Sequence, residues 1–280
     1  MWHLVTGKPY LARLGFGLRA PRAPVPGMDV AGQVEAVGVR VTEFRPGDEV
    51  FGVCAGSFAE YARARAVRLA HRPENLTAEQ AAAMPVSGCT ALRAIRVAKV
   101  RPGQTVLVIG ASGGVGSFAV QVAKAFGAEV TGVCRTAKVD FVRSIGADHV
   151  LDYTREDIAD GTRRYDVVLD IGGHRSLRHL RRALTPRGAR VIVGGEDGGP
   201  WLGGSAGRSF RATAVSPFVR QRLRGIVAIV KGADLATLRQ LVEAGTVTPA
   251  VDRTYPLADA GAAVRDLRDG HIRGKAVLTV

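Results

Sequence analysis

Between Val106 and Gly127 the chain reads VLVIGASGGVGSFAVQVAKAFG, an apolar run that enters Gly110, Gly113, Gly114 and Gly116 and continues as an amphipathic helix. Glycine is needed where a chain turns sharply and where a phosphate must approach the backbone. The phosphate then rests on N–H groups left free at the helix start. With Ser112 and Val115 in the same loop, these residue types suit the pyrophosphate of a dinucleotide. A glycine-rich turn alone would be merely tight, but the strand before it, the helix after it and a second strand at the right distance give it a nucleotide-binding meaning.

That second strand, EVTGVC, ends in Cys134, Arg135, Thr136, Ala137 and Lys138. A ribose 2′-hydroxyl is usually held by an acid at this tip, whereas a 2′-phosphate needs cations and hydroxyls. No acid stands there, so Arg135, Thr136 and Lys138 favour NADPH over NADH. The plainer alternative is that the two cations only solvate a helix start, although cations at that end oppose the helix dipole and call for an anion nearby.

These groups must be held by surrounding elements. Residues 1–85 carry short alternating segments broken by Gly and Pro, such as MDVAGQVEAVGVRV and the turn RPGDEV, which is the texture of small antiparallel β structure. Residues 86–231 change to apolar strands alternating with helices, the βα texture of a doubly wound parallel sheet and an α/β fold. Strands are expected at 105–109, 129–134, 149–151, 166–171, 190–193 and 225–230. Helices are expected over GVGSFAVQVAKAFGA, KVDFVRSIGA and HRSLRHLRRAL. The stretch 195–207 reads as a loop. Residues 232–280 form a last segment, with a helix at LATLRQLVEAG, a short strand near VDRTY, a helix opened by Pro256 and Asp259, and a final strand KAVLTV.

Composition bounds the function. With 280 residues, 46% of them hydrophobic and 23% charged, the chain can bury a sizeable core, and disorder is excluded. The net charge of +14 raises nucleic acid as a partner, yet only six of the 39 basic residues are Lys and the arginines are scattered rather than clustered. Dispersed arginine is surface charge, and neither a nucleic-acid nor a membrane partner is expected. The helix HRSLRHLRRAL puts Arg175, Arg178 and Arg182 on one side, which reads as a solvated face. Cys54, Cys89 and Cys134 are too far apart for a disulfide framework or a cysteine zinc site. With no signal-like or spanning segment, the expected compartment is the cytoplasm.

The segments PGMDVAGQVEAVG, RPGDEVFG, AAAMPVSGCTALRAI, GASGGVGSFAVQVAKAFGAEV, GADHVLDY and GHIRGKAVLTV, in this order, resemble the medium-chain dehydrogenase/reductase superfamily. The likeness covers nearly the whole chain and is closest to the zinc-independent quinone oxidoreductase branch. It implies a Rossmann domain at 86–231 inserted in a GroES-like catalytic domain made of 1–85 and 232–280, with NADPH in the cleft between them. By position it implies that Thr90 lines the nicotinamide end, that Tyr153 lies by the 2′-phosphate, and that Gly172 and Gly194 follow strands at the cofactor edge. His3 and Tyr10 sit where relatives place residues facing the nicotinamide, although packing or surface roles are the plainer readings for both. A homodimer through the sheet edge is implied by the same analogy.

Zinc-dependent relatives carry a His-Glu pair where this chain has Met28 and Asp29. A thioether and one carboxylate do not make a tetrahedral N/S site, so no metal is expected. The implied reaction is hydride transfer to a quinone or an α,β-unsaturated carbonyl, helped by hydrogen-bond donors near the carbonyl oxygen. The alternatives are an alcohol dehydrogenase-like enzyme, which Met28 disfavours, and a non-catalytic NADP(H)-binding protein such as a redox sensor or RNA-associated relative. The resemblance also begins inside the family's first domain, with its first strands upstream of the point matching Trp2. On that reading the 280-residue chain binds NADPH, reduces substrates poorly and aggregates more readily than a longer form.

Overall fold

The computed structural model describes residues 24–173, 175–194, 207, 209, 212, 216, 219–227 and 229–280. His3, Tyr10 and the loop expected from residue 195 to 206 lie outside the described residues.

The order of elements starts with three strands, β1 (Asp29–Gln33), β2 (Glu49–Cys54) and β3 (Ala64–His71). Two helices follow, α1 (Ala78–Ala82) and α2 (Pro85–Ala98). Then come β4 (Thr105–Ile109), α3 (Gly114–Ala125), β5 (Glu129–Cys134), α4 (Val139–Ser144), β6 (His149–Asp152), β7 (Tyr165–Asp170), α5 (Leu177–Arg182), β8 (Leu184–Ile192) and β9 (Arg222–Gly225). The chain ends with α6 (Gly232–Glu243), β10 (Val251–Pro256), α7 (Ala260–Arg268) and β11 (Lys275–Thr279).

Six strands form one sheet in the order β6-β5-β4-β7-β8-β9, with every pairing parallel. The run TVLVI occupies its middle because four of its five residues are fully buried, as a strand covered on both faces requires. From β4 the chain steps outward to β5 and later returns to β7 on the other side. Such a reversal leaves a crevice at the carboxyl ends of the central strands. Gly110 follows β4 and Gly172 follows β7, so both stand at that crevice.

A three-stranded antiparallel sheet, β1-β2-β3, and a parallel pair, β10-β11, make up the remaining β structure. Helix α2 joins the two parts. It packs against α3 and α6 on one side and against β1 and β2 on the other. Pro85 opens it where no N–H is needed, and Lys99, at φ 57°, closes it in the left-handed region. A reciprocal Thr77–Gln80 cap starts α1. One continuous core runs from Phe51 of β2 through Met84, Leu92 and Ile95 to Phe118 of α3 and Leu169 of β7.

Two strand expectations need correction. The last strand of the large sheet is Arg222–Gly225 and not 225–230. Leu223 supplies the buried side chain that fixes the register, and the chain leaves the sheet after Ile226, whose N–H still reaches the Ile192 carbonyl. The apolar run at 226–230 imitates a strand, but Val227 points into solvent. Strand β8 begins at Leu184, six residues earlier than expected, because Leu184 pairs with Tyr165 across a register shift. The basic face expected around Arg175 is also smaller. Helix α5 spans only Leu177–Arg182, Arg175 lies before it, and Arg182 donates to the Ala159 carbonyl at 3.1 Å. Arg175 and His179 both turn onto Asp157, His179 at 2.8 Å.

Candidate functional site

The glycine loop owes its shape to steric necessity at two positions. Gly110 has φ +83°, a conformation that side chains resist, and a Cβ there would stand 3.0 Å from the Gly172 nitrogen. At Gly116 a Cβ would lie 2.0 Å from the Gly110 carbonyl oxygen and 2.8 Å from Ala111 Cα. Helix α3 can therefore start this close to β4 only on glycine. Gly113 is its N-cap and has no side chain to satisfy the helix. The N–H groups of Gly114, Val115 and Gly116 in the first turn thus lack intrahelical acceptors and carry the positive end of the helix dipole. The Ser112 carbonyl is turned away from them and accepts from Gly274 N at 2.9 Å.

A second group converges on the same helix start from distant parts of the chain. Lys275 of β11 donates to Asp29 Oδ2 at 2.9 Å and lies 3.4 Å from Ser87 Oγ. Its methylene stem crosses Gly114, where a Cβ would meet it at 3.0 Å. Asp29 Oδ1 accepts from Val86 N at 2.9 Å. The carboxylate at the position where relatives place a zinc-ligand pair is thus engaged by a backbone N–H and an ammonium. Among the described residues no cluster of three or more His, Cys, Asp or Glu could hold a metal ion. Neither Ser87 nor Lys275 was recognisable beforehand, because nothing local in the sequence marks a contact across 188 or 246 residues.

At the tip of β5 the cations expected to serve a ligand are both tied to the turn between α7 and β11. Arg135 Nη2 donates to the Gly270 carbonyl at 2.5 Å, and Lys138 Nζ to the Ile272 carbonyl at 2.5 Å. Burial lowers the Lys138 pKa, with the neighbouring Arg135 acting in the same direction. Thr136 Oγ1 bonds Asp152, the acid at the end of β6, which also accepts from the Thr154 hydroxyl at 2.7 Å. These hydrogen bonds, the Thr136 one foremost, hold the Asp152 carboxyl below its usual range. Tyr153 follows directly, half exposed, with its N–H on the Cys134 carbonyl at 3.1 Å.

Gly172 lies just past β7 and Gly194 just past β8, beside the crevice. Thr90 is buried in α2, and its hydroxyl donates to the Val86 carbonyl at 2.6 Å. That is the usual i−4 bond of a threonine inside a helix, and it leaves the oxygen as an acceptor. The three cysteines are buried. Burial pushes the Cys89 thiol up to about 12 and the Cys134 thiol up to about 11, which suits packing rather than nucleophilic use.

Residues 2–74 match the family model of the alcohol dehydrogenase GroES-like domain, and residues 145–278 match that of the zinc-binding dehydrogenases. Among curated proteins the chain is 33% identical to the mitochondrial NAD(P)H oxidoreductase RTN4IP1 of Mus musculus, over 91% of this chain and 70% of that one. It is 30% identical to the chloroplastic quinone-oxidoreductase QR1 of Triphysaria versicolor, over 99% of this chain and 84% of that one. The quinone oxidoreductase of Coxiella burnetii superposes with a TM-score of 0.81 at 28% identity, covering 94% of this chain and 80% of that one. A mycobacterial protein solved in complex with NADPH superposes at 0.76 and 29% identity, over 91% and 82%. With the sheet order, the glycine loop and these relatives in agreement, the chain belongs to the medium-chain dehydrogenase/reductase superfamily and is an oxidoreductase.

Proposed function

We propose that this protein is an NADPH-dependent reductase that passes hydride to a quinone or an α,β-unsaturated carbonyl without using zinc. The coarse part of this reading, nicotinamide-dependent oxidoreduction of a small molecule, is common to the relatives named NAD(P)H and quinone oxidoreductases. The choice of NADPH rests on one observation: Arg135, Thr136 and Lys138 occupy the β5 tip, and the nearest acid, Asp152, is already engaged by two threonine hydroxyls.

The residues fit a dinucleotide. The N–H groups of Gly114, Val115 and Gly116 are free in a first turn that only glycine at 116 lets pack against the Gly110 backbone, and Lys275 adds a cation beside them. Arg135, Lys138 and Tyr153 would hold the 2′-phosphate, while Gly172 and Gly194 let the backbone run close to the cofactor's edge. When bound, the dihydronicotinamide supplies hydride to an electrophilic carbon or quinone. The chain's part is to orient the two partners, exclude water and leave the proton to solvent or to a donor at the carbonyl oxygen. Asp29, held by Val86 N–H and Lys275, fixes α2 against β11 at this point. A homodimer through an edge of the six-stranded sheet belongs to the same reading.

The test is consumption of NADPH and NADH, followed at the nicotinamide absorbance, against a panel of quinones and enones, with a zinc chelator present in parallel. Turnover with NADPH that survives chelation is expected. NADH preferred over NADPH, or activity lost on chelation, would overturn the corresponding part of the reading.

A further inference from the structure

The turn from Gly270 to Gly274 lies across the β5 tip and is held there from both sides. Gly270 and Gly274 bracket it at φ +72° and +67°, and a Cβ at Gly274 would stand 2.4 Å from the Ala250 carbonyl oxygen. Its carbonyls at 270 and 272 receive Arg135 and Lys138, and its Gly274 N–H reaches the glycine loop at Ser112. Between these fixed points stands Arg273. Asp252 of β10, whose side chain is only 7% exposed, accepts from Arg273 N at 3.1 Å and from Arg273 Nε at 3.0 Å. This anchors the guanidinium through its inner nitrogen and leaves Nη1 and Nη2 without a protein acceptor among the described residues. Arg273 and Asp252 both lie close enough to Lys138 to act on its charge.

Three cations therefore gather at one place, Arg135, Lys138 and Arg273. One acid, Asp252, pairs with Arg273 through Nε, and Asp152 is taken up by Thr136 and Thr154, so the three cations outnumber the acids that face them. Such a group repels itself until an anion joins it, and a guanidinium anchored at Nε presents its paired Nη groups to a phosphate in fixed geometry. We propose that Arg273 is a specificity-determining residue, a third cation supplied by the C-terminal turn that completes recognition of the 2′-phosphomonoester of the dinucleotide, with Asp252 as its positioning residue. This rests on the NADPH reading above and adds to it a residue from outside the nucleotide-binding βα units.

The experiment measures dissociation constants of NADPH, NADH, 2′,5′-ADP and 5′-ADP for the wild-type protein, R273Q, R273K and D252N, each checked for an unchanged thermal midpoint. R273Q is expected to weaken NADPH and 2′,5′-ADP about tenfold, as loss of a charge-assisted contact does. NADH and 5′-ADP should stay unchanged, R273K should recover part of the loss, and D252N should show a smaller loss of the same selectivity. Wild-type protein that discriminates while R273Q discriminates equally well overturns the role of Arg273 and leaves the NADPH reading standing. Equal weakening of all four ligands overturns it too, as a structural effect. Wild-type protein with no preference between 2′,5′-ADP and 5′-ADP removes the NADPH reading itself, and this inference with it.

Discussion

The six-stranded parallel sheet and the three-stranded antiparallel sheet are built from similar apolar content but in different ways. In β4 and β5 nearly every residue is buried, because helices cover both faces. In β1 and β3 none of the residues is fully buried. Beside them runs an open groove of about 1080 Å³, lined by residues that include Val30, Val34, Phe44, Leu69 and Leu278. Val39, Val67 and Val280 are exposed. The difference shows where the tolerance for change lies: the nucleotide-binding half is fixed by contacts on all sides, whereas the small sheet presents apolar surface that, among the described residues, nothing covers.

Substitutions can break this contrast or sharpen it. The largest effect is expected at Arg190, fully buried against Asp170 between β7 and β8. Arg190→Met would remove the buried guanidinium that pairs with the Asp170 carboxylate and cost about 3–5 kcal/mol, measured by urea unfolding. Gly116→Val should cost about 1–3 kcal/mol through overpacking. It should also abolish dinucleotide binding, because its Cβ falls on the Gly110 carbonyl; fluorescence titration would register the second effect.

Asp152 gives a pH signature. Its carboxyl is held below the usual range, chiefly by Thr136. Its stabilising share is therefore present above the ordinary carboxylate pKa of about 4 and is lost as pH falls through the lower folded value. Asp152→Asn should lower stability at neutral pH, where that share is present, and converge with the wild-type protein in acid, so that its acid limb is shallower, a comparison that unfolding midpoints at several pH values would make. Cys89 and Cys134, with thiols raised by burial, should resist alkylation at pH 8 in the native protein and react only after unfolding, as mass spectrometry would show. The smallest effect is expected on the open sheet, where Val67→Thr should move stability by less than about 0.5 kcal/mol. A large loss there would mean that the face of β3 is covered after all.

Much of the nucleotide-binding half was legible in the sequence. Strands β4 and β5 fall at the residues read from their apolar runs, and helix α3 begins at the glycine expected. Its chemistry is local: tight turns, free N–H groups and burial on both faces all leave marks within a few residues. The helix over Pro85–Ala98 escaped notice although Pro85 is a good starting signal, because Ser87, Gly88 and Thr90 lie among its buried residues, where an amphipathic pattern calls for large apolar side chains. The strand misplaced at 225–230 failed for the opposite reason, since an apolar run without a partner is not a strand.

By itself the sequence determined the glycine loop, the alternation of strands and helices and the absence of an acid at the β5 tip, because steric and periodic constraints are written in neighbouring residues. Only the tertiary structure decided that Asp29, Ser87 and Lys275 meet at the start of α3. It alone showed that Asp152 is engaged by threonines and that the C-terminal turn carries Arg273 to the β5 tip, held by Arg135 and Lys138. Those contacts join residues up to 246 positions apart. Each depends on how sheets and helices pack, and packing leaves no local trace in the order of residues.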